Sequence, residues 1–168
     1  MSSSLLALAC VLLLSGCGFH LRGALPLPEV MERTYVAGGD GSELYYEMEN
    51  ALLNAGAEVV ASAEEASAVL TLHSQRLARR VLSVDTEGRA AEYELAMLVV
   101  FSLREQAGRV LADRQRVSVV RDFSFDPDNV LAKGDEEAAL RREMVRFAVA
   151  QMMRQAQSLS RDPEPAKE

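Results

Sequence analysis

The sequence predicts an α+β domain in which two helices pack on one face of a mostly antiparallel sheet of about four strands. Three observations lead there. Apolar residues recur at helical spacing in two separate stretches, near 44–55 and 140–159. Between them the pattern switches to a period of two, and turn residues interrupt that region twice.

The elements follow in chain order. Arg33 to Ala37 reads as a strand, and Gly38-Gly39-Asp40-Gly41 as a turn. Asp40 is the expected N-cap of the first helix, with Glu43 three residues on completing a capping box. That helix places Leu44, Met48, Ala51, Leu52 and Ala55 on one face, and Gly56 ends it as a C′ glycine. Ala57 to Ala61 is a candidate short strand, and Glu64-Glu65-Ala66 a helical turn.

From Ala68 to Asp85, Leu70, Leu72, Leu77 and Val81 stand among polar neighbours. Thr86-Glu87-Gly88-Arg89 is a hairpin turn in which Gly88 supplies a positive φ. Ala91, Tyr93, Leu95, Met97, Val99, Phe101 and Leu103 then alternate along one face of a second long strand. After Gln106-Ala107-Gly108, a third strand carries Val117, Val119, Phe123 and Phe125 on one side. Three long strands joined by tight turns make an antiparallel meander. Asp126-Pro127-Asp128 ends the sheet. The last helix is expected from near Asp135 to about Leu159, with Asp135, Glu136 and Glu137 at its positive dipole end. Leu140, Met144, Phe147, Ala148, Met152 and Leu159 form its expected apolar stripe.

The chain begins with a targeting segment. Leu5 to Leu14 is one apolar run, far short of the roughly 20 residues a helix needs to cross a bilayer. Small residues follow it, as in a signal peptide. Leu14-Ser15-Gly16-Cys17 fits a lipobox, in which Cys17 is acylated and the bond before it is cut. Met1 to Ser4 carries no Lys or Arg, a departure from the usual basic start. Gly18 replaces the Asp that retains lipoproteins in the inner membrane, so delivery to the outer membrane is expected, facing the periplasm. The domain reading is therefore residues 1–16 as a removed signal peptide and 17–29 as a lipidated tether. Residues 30–160 form a single α+β domain, and 161–168 a disordered tail rich in charge and proline.

Composition sets further bounds. Hydrophobic residues make up 49% and charged residues 26%, ordinary values for a globular domain. Cys10 leaves with the signal peptide and lipid consumes Cys17, so the mature chain is expected to hold neither free thiol nor disulfide. The formal net charge of −7 argues against a nucleic-acid partner. Arginines nevertheless crowd the middle of the chain, from Arg76 to Arg121, where a local basic face is able to meet a phosphorylated or acidic ligand.

No catalytic constellation stands out. His20 lies beside the tether and His73 in a strand, and no cysteine remains for metal or nucleophilic chemistry. The serines sit in no nucleophile elbow, and no glycine-rich phosphate loop occurs. Glu92 and Glu94 share a strand face, where a solvated or partner-facing role fits better than acid–base work. Neither catalytic residues nor a metal site is expected, and no cofactor beyond the covalent lipid on Cys17.

Several short stretches, in order, resemble the LptE family of LPS-assembly lipoproteins. Cys17-Gly18-Phe19-His20-Leu21-Arg22-Gly23 looks like the start of mature LptE. Thr86 to Tyr93, ending Ala91-Glu92-Tyr93, resembles the family's turn into its central strand. Arg121-Asp122-Phe123 and Leu131-Ala132-Lys133 resemble its strand exit. The resemblance spans most of Cys17 to Leu159.

It implies a non-enzymatic plug inside the outer-membrane β-barrel LptD, which helps that barrel assemble. Together the pair would deliver lipopolysaccharide to the outer leaflet. The family's basic ligand contacts imply a role for Lys133. The family's turn contact falls nearer Thr86, which is not basic, with Arg89 three residues on. Arg79, Arg80 and Arg89 join the candidate lipopolysaccharide site on charge alone. The competing readings are an auxiliary lipoprotein subunit of another periplasmic lipid-transport system and a purely structural periplasmic module.

Overall fold

The computed structural model describes residues 27–126 and 129–159. The signal peptide, Cys17, His20, most of the tether, Pro127, Asp128 and the tail lie outside the described residues. A short 3₁₀ turn, Glu29–Met31, leads into β1, Arg33–Ala37. Helix α1 is Glu43–Asn54, and β2 is the two-residue strand Glu58–Val59. Then come β3, Ala68–Val84, β4, Ala90–Glu105, and β5, Val110–Ser124. Helix α2 runs Val130–Leu159.

The fold is α+β, with five strands where about four were expected. Their order is β2-β1-β3-β4-β5. β1 runs parallel to both β2 and β3, while β3, β4 and β5 form the antiparallel meander. β2 is the extra strand: α1 returns the chain beside β1, and Arg33 and Thr34 pair with Glu58 and Val59.

Both helices cover the same face of the sheet. Leu44, Met48 and Leu52 of α1 and Met144, Ala148 and Met152 of α2 meet Leu70, Leu95, Met97, Phe101 and Leu103 in one buried cluster. The alternation expected in β4 is therefore the packing pattern observed. The opposite face carries only a small patch, where Val60 and Ala66 cover Val69 beside Tyr35. Farther along β3, β4 and β5 it is uncovered among the described residues.

Several local expectations change. Ser42, not Asp40, caps α1: it is extended (φ −82°, ψ 153°), and its Oγ accepts the Tyr45 N–H at 3.1 Å. Gly38, in left-handed backbone at φ 77°, brings the chain so close to β3 that a Cβ would stand 2.6 Å from the Leu72 carbonyl oxygen. The cap thus forms after the glycine turn rather than within it. Where the helical turn was expected, residues 63–65 form a single hydrogen-bonded turn, closed by the Ala66 N–H on the Ala63 carbonyl at 3.4 Å. Helix α2 starts at Val130, so Asp135, Glu136 and Glu137 lie inside it instead of at its dipole end. Phe147 is 43% exposed, and the buried stripe passes instead through Val145, Val149 and Met153.

Strand β3 differs most. Leu77 and Val81 are exposed: beyond Thr71 no described strand pairs with the outer side of β3, although Met97, the register partner of Leu77, stays buried in the core. Leu72 pairs with Phe101 but Ser74 with Val100, leaving His73 as a bulge. The bulge changes parity, so Leu77 faces the same side as Leu72 although five residues separate them. β1 pairs with β3 only over Ala68–Thr71, which leaves the rest of that edge of β3 open among the described residues.

Candidate functional site

The long β3–β4 hairpin carries three of the four predicted basic residues, and α2 carries the fourth. Gly88 turns the hairpin with φ 79°, as expected. Asp85 Oδ1 accepts the Glu87 and Arg89 backbone N–H groups at 3.0 and 2.8 Å and closes the turn. The Arg89 guanidinium is engaged with Asp85 at 2.8 Å and Glu87 at 3.2 Å. The Arg89 N–H, together with its guanidinium, holds the Asp85 carboxyl below its ordinary range.

Arg79 and Arg80 diverge because adjacent strand residues point to opposite faces. Arg79 turns to the helix side. Its guanidinium lies 4.6 Å from the Tyr93 ring centroid, and Nη1 donates to Glu137 Oε2 at 3.0 Å. Tyr93 in turn stacks on Phe123 and meets Phe125 edge-on. Glu137 is only 9% exposed and also accepts from Arg141 one turn along α2. Arg80 points to the uncovered face and grips Glu94 through two bonds, at 2.6 and 2.8 Å. That grip holds the Glu94 carboxyl below its ordinary range.

Lys133, in the first turns of α2, donates to Glu136 at 2.7 Å and to Ser124 at 3.2 Å. It sits one helical turn before Glu137, so Lys133, Glu137 and Arg141 line one side of the helix. Lys133 and Arg79 therefore belong to the helix-side end of the hairpin, Arg89 to its tip and Arg80 to the opposite face. The four do not form one constellation. Arg141 was not singled out from sequence, and Glu137 and Tyr93 were read there only as a helix-dipole acid and a strand residue, not as partners of Arg79. The four-residue spacing 133, 137, 141 was the available signal.

His73 Nε2 lies 2.7 Å from Ser102 Oγ, and that Oγ also accepts the Arg114 N–H at 3.0 Å. Among the described residues no carboxylate orients the His73 ring, so the pair lacks the third member of a nucleophilic triad. No group of three or more metal-ligating side chains occurs among the described residues.

The fold and these surfaces define a two-layer α+β module with two helices on one face of its sheet and ion-paired side chains along its long hairpin. A profile of the LptE family, described as lipopolysaccharide-assembly, matches residues 29–156. The chain belongs to that family. It is 30% identical to the LPS-assembly lipoprotein LptE of Photorhabdus laumondii, covering 90% of this chain and 82% of that one. The Pectobacterium atrosepticum protein of the same name is 29% identical, over 86% and 78%. Among solved structures, lipoprotein B from Nitrosomonas europaea superposes with a TM-score of 0.72 at 31% identity, covering 86% of this chain and 93% of that one. The rare lipoprotein B of Shewanella oneidensis gives 0.67 at 27%, covering 75% and 94%.

Proposed function

We propose that this chain is an outer-membrane lipoprotein that plugs the LptD β-barrel, helps it assemble, and takes part in moving lipopolysaccharide to the outer leaflet. The observation that carries the reading is the family match over residues 29–156, with relatives named LPS-assembly lipoprotein LptE. Residues 1–16 act as the signal peptide, and Cys17 receives the lipid. None of the described helices is long and apolar enough to cross a membrane. In this reading the acyl chains on Cys17 anchor the protein, each buried CH₂ contributing about 0.8 kcal/mol. The protein faces the periplasm and the barrel lumen, carries no cofactor besides the lipid, and acts by binding rather than by catalysis.

Lipopolysaccharide phosphates are met by Lys133 and Arg79 on the helix side and by Arg89 at the hairpin tip, with Arg80 reaching from the other face. A polar barrel lumen accepts a folded domain with a charged surface. The test is affinity purification of the tagged full-length chain from outer membranes. Co-purification of LptD supports the reading, and recovery of the chain without the barrel overturns it in favour of another lipid-transport assembly.

A further inference from the structure

Four arginines stand apart from the ion pairs described above. Arg76, Arg104, Arg114 and Arg116 are exposed, and among the described residues none of them forms a salt bridge. Strand register places them together. Arg76 sits beside Leu98, which sits beside Ser118. One step on, Ser74, Val100 and Arg116 are neighbours. Arg104 lies farther along β4, and Arg114 joins through Ser102. All belong to the uncovered face of the sheet, at the end away from the 85–89 turn.

The same face continues into an apolar belt and then an acidic end. Ala78, Ala96 and Val120 are register neighbours, and Leu98 and Val120 are 36% and 45% exposed. Beyond them Arg80, Glu94 and Asp122 lie side by side, followed by Glu92. Among the described residues the four cations at the arginine end have no carboxylate partner, while at the acidic end Arg80 is bonded to Glu94 and also feels the charge of Asp122. An apolar belt crossing three strands with unpaired arginines beside it has the composition of a protein interface rather than of solvated surface.

We infer that this open sheet face docks against the barrel wall, with the arginine end meeting carboxylates there. The inference rests on the plug reading above and adds which side of the domain the barrel holds. The two-signed charge pattern selects a protein over a lipid surface. A uniformly anionic headgroup layer attracts the arginine end but repels Glu92, Glu94 and Asp122, whereas a protein wall can match both signs.

The experiment uses full-length chain co-expressed with LptD. A photo-crosslinking residue is placed at Leu98 or Val120 on the open face, or at Arg146 on the helix side. Separately, Arg76, Arg104 and Arg116 are all changed to Glu. Crosslinks to the barrel from Leu98 and Val120 but not from Arg146, with barrel recovery falling about tenfold in the triple variant, are expected. Barrel recovery at the wild-type level from the triple variant, with crosslinks from Arg146 alone, overturns the docking face and leaves the plug reading intact. Failure of the wild-type chain to recover any barrel sinks both. Binding to phosphatidylglycerol vesicles that is lost in the triple variant while barrel recovery is unchanged also overturns it, and gives the face to lipid.

Discussion

Arg79 and Glu137, 58 residues apart in the chain, meet at 3.0 Å and tie the second half of β3 to α2. Glu137 also holds Arg141, so one nearly buried carboxylate satisfies two guanidiniums. Arg79 is half exposed, which places the pair between a surface ion pair and a buried one. We expect Glu137→Ala to lower stability by about 1–2 kcal/mol in urea unfolding. Arg79→Ala should cost less in that background than in the wild type. An unchanged unfolding midpoint for Glu137→Ala would show that the contact contributes nothing.

Lys133 and Arg89 stand at two edges of the hairpin's far end, each already paired with carboxylates of its own element. Reversing both, Lys133→Glu with Arg89→Glu, should weaken binding of purified lipopolysaccharide about tenfold, as expected for losing a charge-assisted contact. The circular dichroism spectrum should stay as in the wild type. Equal binding by the double variant rejects these residues as ligand contacts.

Glu94 gives the acid limb of stability a definite sign. The bidentate bond from Arg80 lowers its folded pKa below the ordinary 4.5. The folded state therefore binds fewer protons than the unfolded chain just below that value. The stabilisation is complete above about pH 4.5, its unfolded value, and is lost as the pH falls through the lower folded value. Unfolding midpoints measured across pH 3–6 should fall less steeply for Glu94→Gln than for the wild type. Parallel curves would mean that the Arg80 pair is too solvated to matter.

Helix α2 separates two methionine- and phenylalanine-bearing faces. Met152 is fully buried in the main cluster, whereas Phe147 points outward between Arg121 and Arg154, 5.2 and 6.0 Å from its ring centroid. Met152→Ala should cost about 2–5 kcal/mol. Phe147→Ala should cost under about 1 kcal/mol, the order of an exposed cation–π contact. Similar losses in thermal unfolding would contradict the orientation of the helix.

What the sequence made legible was local. β4 is the central strand of the meander, buried on one face for most of its length, so its alternation survives intact from Ala91 to Leu103. Gly88 and Gly108 mark the turns because their positive φ has no cheap substitute. The start of α2 was misplaced because three consecutive acids suggest a dipole end, whereas Glu137 turns inward to partners on β3 and its own helix. The basic residues were visible as charges, but their pairing was not. Arg79 depends on a residue in another element, and the grouping of Arg76, Arg104, Arg114 and Arg116 depends on strand register. The opposed parity of Leu72 and Leu77 was the one written clue to the bulge between them.

That bulge gives β3 an unusual sensitivity to chain length. His73 is the extra residue against β4, and β5 carries its own extra residue opposite Ser102, where Arg114 adopts φ 41°. Ser102 touches both irregular sites at once. Losing a single residue here would not simply shorten the strand. It would turn the far half over, presenting Leu77, Arg79 and Val81 to the open side and driving Arg76, Ala78 and Arg80 beneath it. Arg79 would leave Glu137, and Arg76 would leave the basic cluster. Side-chain replacements in this hairpin act one residue at a time, but an insertion or deletion exchanges its two faces together.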